Sequence, residues 1–190
     1  MLPSTIRAIP IITLFVSTIS AAQTVDIQSL FNSAVQENRV GLAKKTKLVD
    51  ARPAKLDEVV VTIIKNEGKE TQSSPAKAGD MVVKNRCPET GNEEILVSAK
   101  KFVQRYEGPL TDKNPNLSNE WQTYRPKGNE MEYFIVTAKE GQFQFIAPWG
   151  EEMKAYPGDA IVRVPTDHKD TYRIAKAAFN CTYEIIRPAK

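Results

Sequence analysis

Internal repetition is the feature that most constrains the fold. Arg52-Pro53 recurs as Arg125-Pro126, and Glu67-Gly68, which follows the apolar run VVVTII, recurs as Glu140-Gly141 after YFIV. The block Gly79-Asp80-Met81-Val82-Val83-Lys84 recurs as Gly158-Asp159-Ala160-Ile161-Val162-Arg163. Phe102, Tyr106 and Glu107 recur as Phe179, Tyr183 and Glu184. Four blocks in one order form the pattern of a diverged tandem duplication. The copies span residues 52–109 and 125–190, about 60 residues each, and a unit that small leaves too much surface exposed to be comfortably stable alone. The copies are therefore expected to pack against each other.

Each copy reads as mainly antiparallel β. In the second, strands are expected at 133–137, 142–147, 151–156, 160–164 and 171–174, with a polar loop at 165–170. A helical turn at 176–179 precedes a last strand at 181–186, whose alternation would turn Cys181 inward beside Phe179 and Tyr183. Gly79-Asp80 and Gly158-Asp159 read as structural turns, glycine supplying an unusual φ and aspartate a side-chain bond to the backbone. Residues 23–51 read as a helix and linker: Asp26 caps a helix with Ile27, Leu30, Phe31, Ala34 and Val35 on one face. Residues 110–124 read as a polar linker. The expected class is α+β, mainly antiparallel β, as a tandem duplication of a small β unit plus an N-terminal amphipathic helix.

Residues 1–22 read as a secretory signal peptide. Arg7 is their only charge, an apolar run too short to span a bilayer follows, and Ser20-Ala21-Ala22 supply small residues before Gln23. No later stretch is apolar enough to cross a membrane, so the mature chain is expected to be periplasmic or secreted. In an oxidising compartment an even cysteine count favours a bond between Cys87 and Cys181 over two separate buried thiols. Closing a loop of about 95 residues would contribute on the order of 4–5 kcal/mol in the chain-entropy account.

Composition narrows the chemistry. The 190 residues carry 26 basic and 23 acidic side chains, a balance that does not suit a nucleic-acid binder. One histidine and two cysteines leave no zinc finger or four-cysteine cluster, and neither a cofactor nor a metal is expected.

Pro157-Gly158-Asp159, Ile161-Val162 and the closing Phe179-Asn180-Cys181-Thr182-Tyr183-Glu184 resemble the PGDYG family of small bacterial and phage proteins. Ala160 and Ile161 stand where that motif has tyrosine and glycine; in the first copy Ala78 replaces its proline and Met81 its tyrosine. That family is functionally uncharacterised, so the resemblance implies a fold unit and no chemistry.

Two function classes follow. Asp80 and Asp159 at equivalent positions would suit a hydrolase if both faced one cleft, and His168 between Asp167 and Asp170 would offer a base or a loose metal ligand. The bland reading is two turn aspartates and a solvated loop. No nucleophile elbow, zinc helix, phosphate loop or dinucleotide fingerprint occurs, and Cys87 has no histidine in its copy. The other class is a non-enzymatic binding or interaction protein, an inhibitor or envelope accessory factor. The second copy's longer hairpin carries Trp149 and Tyr156, aromatics able to anchor a protein or small ligand. Trp149 packing on the other copy is the alternative.

Overall fold

The computed structural model describes residues 23–111, 118 and 120–190; the signal-peptide reading and part of the polar linker lie outside them. The first half runs β1 (Gln23–Thr24), α1 (Ile27–Gln36), β2 (Gly41–Lys45), β3 (Val49–Pro53), β4 (Val61–Ile64), β5 (Gly68–Gln72), β6 (Met81–Asn85), β7 (Glu94–Val97), α2 (Ala99–Arg105) and β8 (Tyr106–Glu107). The second runs β9 (Gln122–Pro126), β10 (Glu130–Ile135), β11 (Phe143–Ile146), β12 (Glu152–Ala155), β13 (Ala160–Val164), β14 (Asp167–Ile174), α3 (Lys176–Thr182) and β15 (Tyr183–Arg187). The protein is thus mostly antiparallel sheet with three short helices, an α+β fold.

Two five-stranded sheets dominate, in the orders β7-β6-β3-β9-β8 and β14-β13-β10-β2-β15. Each takes one strand from the other half. β9 lies between β3 and β8, and β2 lies between β10 and β15, all antiparallel. A hairpin, β4-β5, and a three-stranded sheet, β1-β11-β12, sit beside them, with β1 joined to β11 in parallel.

Local chemistry explains the turns. Gly79 and Gly158 adopt φ of +85° and +99°, where a side chain would be strained. The aspartate after each binds back across its turn: Lys77 N donates to Asp80 at 2.9 Å, and Tyr156 N to Asp159 at 2.8 Å. The free oxygen of each then caps a helix formed far along the chain. Ala99 N, the first residue of α2, donates to Asp80 at 3.0 Å, and Lys176 N, the first of α3, donates to Asp159 at 2.9 Å. Neither Ser98 nor Ala175 caps its own helix, so these remote carboxylates satisfy N–H groups that would otherwise lack a partner.

The main core lies where α1 crosses the second sheet, with Ile27, Phe31 and Ala34 against Phe134, Phe143, Phe145 and Ile161. Asp26 caps α1 by accepting from Gln28 N at 3.0 Å. A second core fills the other face of that sheet with Tyr133, Val162 and Phe179, and a third joins Val49, Val83 and Phe102.

Several local expectations are corrected. Cys181 lies in α3, not in a strand: Ala177 and Ala178 favour helix, and the Asp159 cap starts it early enough to include residues 180–182. Residues 167–170 belong to β14, so His168 is on a strand with only a short turn before it. Residues 41–45 and 49–51 are strand, not linker. Val35 is 42% exposed, outside the buried stripe of α1. Arg52-Pro53 and Arg125-Pro126 lie on β3 and β9, which are neighbours in one sheet and hold different places in it. Glu67-Gly68 closes the β4-β5 hairpin, whereas Glu140-Gly141 links β10 to β11. The Gly-Asp blocks and the Phe-Tyr-Glu blocks do fall in matching settings, before β6 and β13 and across α2-β8 and α3-β15.

Candidate interaction site

The seam between the halves holds a buried cluster of charge. Arg173, on β14, is buried and extends its guanidinium to three carboxylates. Its Nε donates to Asp159 at 2.8 Å, Nη1 to Glu70 at 2.8 Å and Nη2 to Glu67 at 2.6 Å. Glu67 and Glu70 come from the β4-β5 hairpin of the first half, so one side chain ties that hairpin to the second sheet. Three ionised carboxylates around one cation leave excess negative charge in a poorly solvated place. Burial, helped by Glu93, Glu67 and Asp159 nearby, pushes Glu70 up to about 7 against the pull of Arg173.

Trp149 belongs to the same seam. Its Nε1 donates to Gln72 O at 3.1 Å, Ser74 Oγ donates to Trp149 O at 3.0 Å, and its ring lies 6.4 Å from that of Tyr172. The tryptophan of the longer hairpin is therefore engaged by the first half. Tyr156 stays 37% exposed, with the Arg173 guanidinium 5.5 Å from its ring centre. Between the edges of β5 and β12 runs a groove of about 260 Å³, lined by Lys69, Glu70, Gln72, Glu152 and Lys154 among others. Its lining alternates in charge, and Glu70 joins it to the Arg173 cluster.

The residues of the hydrolase reading are placed otherwise. Both carboxylate oxygens of Asp80 and of Asp159 accept backbone N–H bonds, and Asp159 also holds Arg173. Asp170 accepts from Lys101 Nζ at 2.7 Å and from Arg105 of α2, a further tie between the halves. His168 is exposed. None of these carboxylates stands free beside a nucleophile.

Cys87 and Cys181 lie at disulfide distance, with Cα atoms 6.0 Å apart. Glu89 Oε2 sits 3.3 Å from each sulfur. These three form the one group of metal-ligand type within reach of each other among the described residues, and sulfurs bonded to one another offer no thiolate to a metal. Beneath them a buried polar chain links β2 to β6: Lys45 Nζ donates to Asn85 at 2.5 Å, Asn85 Nδ2 donates to Glu93 at 2.6 Å, and Thr90 Oγ1 donates to Glu93.

Sequence reasoning missed Arg173, Glu70 and Glu67. The one available signal was an arginine within a strand whose neighbours Tyr172 and Ile174 are apolar. No protein family, curated protein or solved structure matches this chain. Among the described residues no helix is long and apolar enough to cross a membrane.

Proposed function

We propose that this is an exported, non-enzymatic binding or interaction protein of the periplasm or the extracellular space, acting as an inhibitor or an envelope accessory factor. One observation carries the reading: the buried carboxylates that the hydrolytic reading draws on, Asp80, Asp159 and Asp170, are already committed to a backbone cap or an ion pair. A general acid or base must reach a substrate proton, and a carboxylate whose one oxygen closes a turn while the other caps a helix cannot do so without breaking that local structure. The exposed Tyr156 and the polar groove between β5 and β12 are the surfaces that a protein or small-molecule partner would contact. Disulfide closure between Cys87 and Cys181 is consistent with export.

We further propose that the matching strand orders of the two large sheets descend from a tandem duplication in which the copies exchanged one strand each. Gly-Asp blocks that make the same two kinds of backbone bond in both halves support this. The resemblance to the PGDYG family rests on Pro157-Gly158-Asp159, Ile161-Val162 and the closing segment from Phe179 to Glu184, more weakly on the first copy, and implies the fold unit alone.

The test is a cross-linking pull-down from the native host's envelope fraction, with wild-type protein and Tyr156→Ala in parallel. Recovery of one partner by wild type, lost with Tyr156→Ala, is the expected result. Absence of a partner, together with a hydrolytic activity removed by His168→Ala, would contradict it.

A further inference from the structure

Lys45 and Asn85 meet where the two large sheets adjoin. Lys45 ends β2 in one sheet, and Asn85 ends β6 in the other. Lys45 Nζ donates to Asn85 Oδ1 at 2.5 Å, and Asn85 Nδ2 donates to Glu93 Oε1 at 2.6 Å. Asn85 and Glu93 are buried, and so is Thr90, whose hydroxyl holds the second Glu93 oxygen. Buried Tyr106 bounds the half-buried amine, its Oη 3.5 Å from Nζ and its ring centre 5.8 Å away.

A lysine and a glutamate brought together out of water ordinarily pair with each other. Here an amide stands between them, and among the described residues neither forms an ion pair. The partners also fix which way the amide points, because Lys45 donates and Glu93 accepts. The carbonyl therefore faces the amine, and the amide nitrogen faces the acid. Only the carbonyl bond of about 1.2 Å separates Oδ1 from Cγ, so Cγ lies no more than about 3.7 Å from Nζ, close to a near-attack contact. A nucleophile, a carbonyl carbon and a proton donor on the leaving nitrogen thus stand in line within a largely buried site.

We propose that Lys45 and Asn85 join in an intramolecular isopeptide bond, made by the folded chain itself with Glu93 as the catalytic acid and base. Lys45 reacts as the free amine, its ammonium proton having passed to solvent. The Nζ lone pair forms a bond to Asn85 Cγ, and the bond from Cγ to Nδ2 breaks with its electron pair. Glu93 supplies the proton that Nδ2 takes as it departs as ammonia, and recovers one from Nζ, so the acid is unchanged. No oxidant, reductant or co-reactant is consumed. The product replaces a cation that lacks a carboxylate partner with a neutral amide, and it ties the two large sheets covalently, two residues from Cys87. The bond needs only the folded chain, so it stands whatever partner the protein takes.

Mass spectrometry of the purified full chain, unfolded and reduced, tests this. Wild type should weigh about 17 Da less than its sequence, the mass of one ammonia. Cyclisation of an N-terminal Gln23 would release the same mass, so the linkage is read from a tryptic digest. There Lys45 should resist cleavage, and its peptide should be found joined to the one carrying Asn85. Lys45→Arg and Asn85→Ala should each lack the joined peptide, whereas Asn85→Asp should form it with loss of water, about 18 Da. Glu93→Gln keeps the side chain's size and an oxygen for Asn85, and should slow bond formation after refolding by about a hundredfold or more. Separate Lys45 and Asn85 peptides from wild type that circular dichroism shows to be folded would overturn the proposal. So would a joined peptide that Glu93→Gln forms as fast as wild type does.

Discussion

Replacing Glu70 by glutamine should stabilise the protein in alkaline solution and leave it nearly unchanged in acid. Glu70 shares the Arg173 guanidinium with Asp159 and Glu67 and is pushed up to about 7, from an ordinary 4.5. The folded state therefore holds its proton more tightly than the unfolded chain does. Its contribution to stability is full below about pH 4.5 and is lost as pH rises through 7. A shift of that size corresponds to about 3 kcal/mol lost by pH 8, at 1.36 kcal/mol per unit. Glutamine keeps the oxygen that accepts from Arg173 and carries no charge at any pH, so the variant should escape that loss. Glu58 acts in the opposite sense: its hydrogen bonds from Arg52, at 2.6 and 3.0 Å, and from Lys55 N hold it down at about 2, giving stability lost only as pH falls through 2. It is present in both proteins and cancels from the difference. Urea unfolding of wild type and Glu70→Gln at pH 5 and pH 8 reads the effect directly. Equal pH dependence in the two proteins, or a variant less stable than wild type at pH 8, would refute the reasoning by showing Glu70 ionised and usefully paired.

Other consequences follow from named contacts. A Cβ on Gly41 would lie 2.5 Å from both Ala189 N and Arg187 O, so Gly41→Ala should displace the C-terminal tail from β2, cost about 1–3 kcal/mol, and speed exchange of the Ala189 amide now bonded to Tyr133. Asp80→Asn should cost about 1 kcal/mol for a weakened cap, whereas Asp159→Asn should cost several times more because it also weakens the hold on buried Arg173; thermal melts of the two variants would read the ratio. Residues 122–190 expressed alone lack β2, which separates β10 from β15, so they should show no cooperative unfolding transition in circular dichroism.

The turns were legible in the sequence because their cause is local. Gly158 needs a positive φ that few residues tolerate, and Asp159 reaches a backbone N–H three residues back, so both roles are written within one short segment. Strand exchange was not legible. Whether β2 pairs with β3 or with β10 depends on burial across the whole molecule, and both partners offer suitable alternation. The same limit explains the helical placement of Cys181: residues 176–182 are too short for helix and strand periods to be told apart, and the cap that decides between them comes from residue 159. Trp149 was legible as an anchor but not its target, since Gln72 lies 77 positions away in the chain. The Arg173 cluster draws its carboxylates from two other segments, the β4-β5 hairpin and the turn before β13, and an isolated arginine in a strand gives no hint of the carboxylates that will surround it.

Intact mass of the protein recovered from its native host, measured without reduction and again after it, tests the central claim most directly. An exported protein stapled across its halves should appear outside the cytoplasm as the chain from Gln23 to Lys190, about 2 Da lighter before reduction than after because the Cys87–Cys181 bond lacks two hydrogens. A chain found in the cytosol with its first 22 residues attached and both thiols free would contradict the account.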